Sequence, residues 1–183
     1  SFDEASEPAA APALPSQRST VADGFESIFA DFKKGVSATL DAGDYETRYD
    51  LGIAYREMGL FEDAIGEFRI CLECPSRRFD SLCMMGLCAF DLGRFLDAVS
   101  HLEQALSSGD RPAAQQAGVT FDLARAYAAA GDLSRARDAY ARVGELSVGF
   151  PGLDEALAAL TAGDGGAGPD DEPSEALESF GDL

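Results

Sequence analysis

The residues whose type and spacing come closest to chemistry are four cysteines. Cys71 and Cys74 are followed by Cys83 and Cys88, so a C-x2-C precedes a C-x4-C. Four thiolates can hold zinc in a tetrahedral site when turns bring the sulfurs to one point. Here the surrounding pattern is helical on both sides, which leaves no knuckle to gather them. The competing reading is packing, because a free cysteine behaves as a small hydrophobe. The chain has one histidine, His101, with no Ser, Cys or Asp arranged around it by spacing. The glycine-rich stretch Gly163–Gly168 lacks a following Lys-Ser/Thr and a helix, so it is no phosphate loop. Paired carboxylates occur throughout and single out no position. These residues predict a protein that is not an enzyme, with no metal and no cofactor.

The elements that position these side chains follow from composition. In 183 residues, 33 acids stand against 14 bases, a net charge of −19. A phosphate backbone needs a Lys/Arg surface to replace its counterions, so nucleic acid is excluded as a partner. The same charge argues against an anionic membrane surface, and no apolar run approaches the roughly 18 residues of a membrane span. Twelve Phe and five Tyr supply enough apolar mass for a real core. Residues 1–20, with three prolines and no periodicity, read as a flexible segment. Residues 163–183, with seven acids and no base, read as a flexible acidic tail. The chain opens on Ser1 without a signal-like segment, as a processed form or a fragment would.

Between those ends the period is helical throughout. Leu51-Gly52, Gly59, Phe61, Ala64 and Phe68 recur 34 positions later as Met85-Gly86, Gly93, Phe95, Ala98 and Leu102. A third copy, Leu123-Ala124, Gly131, Leu133, Ala136 and Tyr140, is shifted by 38, and the four extra residues are expected in the loop Ser107–Pro112. Small residues at Gly52, Gly86 and Ala124, facing Ala64, Ala98 and Ala136, predict close helix crossings. Gly59, Gly93 and Gly131 are placed to supply the left-handed residue that closes a first helix. Each pair buries one face only and needs neighbours and caps. Phe25, Ile28, Phe29, Phe32 and Val36 predict a cap helix over 22–40, and Pro151, Leu153, Leu157 and Leu160 another over 151–162. In this frame Cys71 takes the small slot that Ala105 fills one repeat later, and Cys88 matches Ala54 and Ala126.

This pattern resembles the tetratricopeptide repeat family. The first copy, Tyr49-Asp-Leu-Gly-Ile-Ala-Tyr55 through Gly59, Ala64, Phe68 and Pro75, carries the fullest motif; the second has Ala89 where Tyr is usual, and the third Ala124 where Gly is usual. The resemblance implies an all-α, right-handed superhelical solenoid. Three helix pairs, over about 45–75, 79–110 and 113–148, stand between an N-terminal and a C-terminal capping helix in a domain spanning 21–162. It also implies a concave face lined by the first helices. Carried over by position, that face takes Tyr49, Ile53, Arg56 and Glu57, then Cys83, Leu87, Phe90 and Asp91, then Phe121, Arg125, Ala128 and Ala129. Tyr49, Ile53, Arg56, Leu87, Phe90, Phe121 and Arg125 are the candidate partner-binding residues. Such a contiguous apolar wall marks an interaction site unless a cap or a tail covers it. The tail's Leu177, Phe180 and Leu183 have the acidic-apolar character of a ligand for such a groove. Glu67 and Glu103 fall on the convex second helices, where charge reversals are expected to be inert.

The expected function is a non-enzymatic adaptor that binds a peptide or a partner domain. The run Phe29–Val36, with Asp44-Tyr45 and Tyr49–Leu60, is similar to repeat proteins of gliding and pilus-motility bacteria. That resemblance implies a small Ras-like polarity GTPase as partner. The alternative is the interaction arm of a larger enzyme or signalling protein. Four free thiols favour a reducing, cytoplasmic setting.

Overall fold

The computed structural model describes residue 28, residues 31–36 and residues 43–164. The chain divides into two compact units, Ser1–Asp44 and Tyr45–Leu183. In the first, residue 28 and residues 31–36 are helical, and they hold Ile28, Phe32 and Val36 of the expected apolar stripe. Phe25, Phe29, residues 1–20 and the tail beyond 164 lie outside the described residues.

The second unit is a run of helices: α1 (Tyr45–Glu57), α2 (Phe61–Cys71), α3 (Pro75–Asp91), α4 (Phe95–Ser107), α5 (Ala113–Ala129), α6 (Leu133–Leu146) and α7 (Leu153–Asp164). Each packs on its successor, α1 also touches α3, and α3 touches α5. The first helices of successive pairs thus approach each other and form the inner wall of a solenoid. The architecture is all-α, as the repeat arithmetic requires.

The turns inside the pairs are three copies of one motif. Gly59, Gly93 and Gly131 take φ of 77°, 73° and 85°, the left-handed region that glycine enters without a Cβ penalty. In the first copy the Gly59 amide donates to the Arg56 carbonyl, and the Leu60 amide donates to the Tyr55 carbonyl at 2.9 Å. The same two bonds recur at Gly93/Arg94 and at Gly131/Asp132. This is a Schellman closure, which satisfies carbonyls that the helix end leaves free.

The closest crossings fall where small residues were placed. Ala64, Ala98 and Ala136 are fully buried, as are Phe68 and Leu102, and Tyr140 is nearly so. The inserted residues divide differently from expectation. Two of the four extend α4 beyond the equivalent end of α2, and two lengthen the connection to α5. A helix end with no proline directly after it can run on, and Pro112 halts the chain only at the start of α5. Pro75 likewise opens α3 at its first turn, so the second pair begins at 75 rather than 79. At the other end Pro151 and Gly152 form a turn and the last helix starts at Leu153. Its Leu160 is buried, and it packs on α6.

Candidate partner-binding face

The seven residues singled out by position all lie on the first helices. Tyr49, Ile53 and Arg56 sit on α1, Leu87 and Phe90 on α3, and Phe121 and Arg125 on α5. All but Arg125 are half-buried, and Arg125 is exposed.

Contacts between the helices bind them into one surface. Arg56 on α1 reaches Asp91 on α3 at 3.6 Å. Arg125 on α5 lies over the Phe90 ring with its guanidinium carbon 4.7 Å from the centroid, a geometry in which the ring face attracts the cation. It also pairs with Asp122 one turn back at 3.3 Å. Phe90 packs edge-tilted on Phe95 at 5.4 Å. At one end Tyr49 packs at a tilt on Phe68, 5.3 Å between centroids, beneath Arg77, and Arg77 is held in turn by Glu46. At the other end Phe121 is enclosed between Tyr140 at 5.5 Å and Phe150 at 5.0 Å. Both ends are therefore partly spent on packing, and Ile53, Leu87 and Phe90 form the middle of the wall.

Asp122 was not legible as a site residue, although its i,i+3 spacing to Arg125 was a usable signal. Its carboxyl is pushed above the usual range mainly by burial, while Arg125 and Arg56 pull the other way. Phe150 was missed because it belongs to a turn rather than to a repeat position.

Two expectations change. Cys83, assigned to the wall, is buried in the core with Phe79 and Leu82; it lies mid-helix, in the same buried cluster as Val119 and Leu123 of the next pair. Burial pushes its thiol up to about 12, and that of Cys88 to about 11. Cys71 and Cys88 are fully buried, as the packing reading requires. No group of three or more His, Cys, Asp and Glu among the described residues is placed to hold a metal. The convex acids are also engaged rather than free. Glu67 pairs with Arg48 at 3.0 Å, both side chains nearly buried, and Glu103 accepts a hydrogen bond from the Tyr127 hydroxyl. Losing Glu67 strands the nearly buried charge of Arg48, and losing Glu103 takes the acceptor from the hydroxyl of buried Tyr127, so neither is an inert control.

His101 is half-buried on α4, and burial lowers its pKa; it touches none of the seven residues above by any recorded bond. No described helix is long and apolar enough to cross a membrane.

Comparison with known proteins agrees with this geometry. Two family models described as Tetratricopeptide repeat match residues 79–108 and 120–146. Those two segments match as tetratricopeptide repeats, and α1–α2 repeats the same glycine turn and crossing upstream of them. The crystal structure of MamA superposes with a TM-score of 0.62 at 21% identity, covering 81% of this chain and 83% of that one. The first TPR of Spaghetti (RPAP3) bound to an HSP90 peptide gives 0.60 at 17%, over 69% and 97%. The Yersinia enterocolitica type III secretion chaperone SycD, in complex with a peptide of the translocator YopD, gives 0.53 at 18%, over 64% and 86%. Likeness at these identities establishes the fold. No curated protein matches this sequence.

Proposed function

We propose that this chain is a non-enzymatic adaptor that binds a peptide or a partner domain on the face formed by α1, α3 and α5. The observation that carries this reading is the middle of that wall. Ile53, Leu87 and Phe90 present half-buried apolar surface on successive helices, while Arg56 and Arg125 beside them are balanced by Asp91 and Asp122. A wall whose cations are already paired recognises an apolar anchor better than a bare carboxylate. Two of the similar structures hold peptides, one from HSP90 and one from YopD, which supports a peptide as the ligand class.

Within this reading, the partner favoured by the sequence resemblance is a small Ras-like polarity GTPase of bacterial motility. The net charge of −19 speaks against nucleic acid and anionic membrane as partners. The four free thiols fit a cytoplasmic setting. A displayed random peptide library panned on the full chain tests the general reading. It should yield ligands sharing a large apolar residue, and Phe90→Ala should abolish their capture. Ligands that bind Phe90→Ala as well as wild type would remove this face from the account. A purified polarity GTPase loaded with a GTP analogue or with GDP tests the finer one, with binding expected in one nucleotide state only.

A further inference from the structure

A cavity of about 490 Å³ opens on the side of α5 opposite to the Phe90 face, within the roughly 300–1,000 Å³ of ordinary ligand pockets. It exists where the repeat is irregular. Leu106, Ser107, Gly109 and Asp110, which form one wall, belong to the stretch lengthened relative to the α2–α3 corner. Leu106, Leu123, Tyr127 and Ala139 give the cavity an apolar part beside a polar one. Arg135 and Arg142, two turns apart on α6, supply cations, and Asp110 and Asp138 supply as many acids. Arg135 is committed: it lies over the Tyr127 ring at 4.6 Å and bonds Asp132. Arg142 is exposed and makes no hydrogen bond or ion pair with any described residue.

With two cations beside its two acids the cavity lacks the strong negative excess of the chain as a whole, so it can take a segment with a bulky apolar anchor and one carboxylate placed to reach Arg142. One such segment is in this chain. Residues 170–183 hold Leu177, Phe180 and Leu183 among Asp171, Glu172, Glu175, Glu178 and Asp182, with no base. Most of the surface of a chain at net −19 repels such a segment. Reach is not limiting. α7 ends at Asp164 on the flank of α6, and α6 itself is a cavity wall. The 16 residues from 164 to 180 extend to about 50 Å, against roughly 21 Å for the length of α6. A tether of this length supplies an effective concentration of order mM, so a weak site is filled.

We propose that the acidic tail docks in this cavity, with Phe180 as the apolar anchor and a flanking carboxylate on Arg142. The proposal concerns the face opposite the partner-binding wall and stands whether or not that wall binds a peptide.

The sequence has no tryptophan, so Phe180→Trp in the full chain places one indole in the tail. Docking gives a blue-shifted emission and acrylamide quenching several-fold weaker than for a free peptide 170–183 with the same substitution. Excess unsubstituted peptide 170–183 should displace the indole and restore free-peptide quenching. Arg142→Glu should do the same without loss of helicity, Arg142→Lys should keep most of the protection, and Phe90→Ala should change nothing. Should Arg142→Glu lose helicity, Ala139→Glu and the peptide displacement decide in its place. An indole as exposed in the full chain as in the free peptide overturns the proposal. So does protection that survives Arg142→Glu and is lost in Phe90→Ala, which would seat the tail on the other face.

Discussion

A Cβ added to Gly52 would lie 2.7 Å from Cε1 of Phe68, inside the ring's van der Waals surface. The next pair repeats the relationship, with a Cβ on Gly86 falling 2.7 Å from Cγ of Leu102. Both partners are fully buried and have no room to withdraw. The missing methyl at these crossings is what allows α1 to lie on α2 and α3 on α4 at full contact.

Alanine at Gly52 or Gly86 should therefore destabilise, even though it is the better helix former by roughly 1 kcal/mol. Overpacking of this kind costs about 1–3 kcal/mol. Gly66, on exposed α2 surface with nothing near its missing Cβ, gives the opposite sign. Gly66→Ala should stabilise by up to about 1 kcal/mol. Urea unfolding of the three variants checks the pair of signs.

The four thiols should react unequally. Burial raises Cys71, Cys83 and Cys88, which removes thiolate at mildly alkaline pH. Cys74 is lowered, first by its 3.2 Å contact with the Ser76 hydroxyl, and it stands at the N-cap position of α3, where the helix dipole favours an anion. Native protein should show one fast-reacting thiol with a disulfide reagent, and Cys74→Ser should abolish that fast phase alone. A fast phase of two or more thiols would contradict the buried assignment.

Asp122 carries a pH signature. Its folded pKa lies above the ordinary aspartate value of 3.8 because burial disfavours the charged form. The folded state then holds a proton that the unfolded state has lost, so this group's contribution to stability falls as pH rises from 3.8 through the raised value. Relative to Asp122→Asn, wild type should lose stability over that window and run parallel above it. Melting temperatures of both proteins across the acid range check this. A difference that is flat in pH would show that Arg125 and Arg56 cancel the burial cost.

Arg125 is exposed and already paired, so its effect on a partner should be one of steering. Arg125→Glu should slow association and weaken its salt dependence while leaving dissociation nearly unchanged. Stopped-flow binding at two ionic strengths separates the two rates.

The glycine turns and small-residue crossings were legible because they rest on covalent constraints. A left-handed corner needs Gly59, Gly93 and Gly131 whatever surrounds them, and a crossing needs Ala64 and Ala98. The polar pairs were not legible. Glu67 and Glu103 look like solvated convex acids in sequence, and their partners Arg48 and Tyr127 lie 19 and 24 residues away. No local pattern reports such a distance. Cys83 was misplaced for a related reason. Position within a repeat gives the side of a helix, but the neighbouring pair decides how deep that side lies. The division of the inserted residues between α4 and the loop depended on where a proline stops the chain, and Pro112 stands at the far end of the stretch.

The central claim is that a partner seats an apolar anchor between Ile53, Leu87 and Phe90. Its most direct test is the dissociation constant of a library-selected peptide for the full chain, for Phe90→Ala and for Glu145→Lys on the exposed side of α6. Truncating a central aromatic should cost about 2 kcal/mol or more, roughly thirty-fold in affinity. The account predicts that loss in Phe90→Ala with unchanged helicity, and no loss in Glu145→Lys. Full affinity in Phe90→Ala, with binding lost in Glu145→Lys, would contradict it.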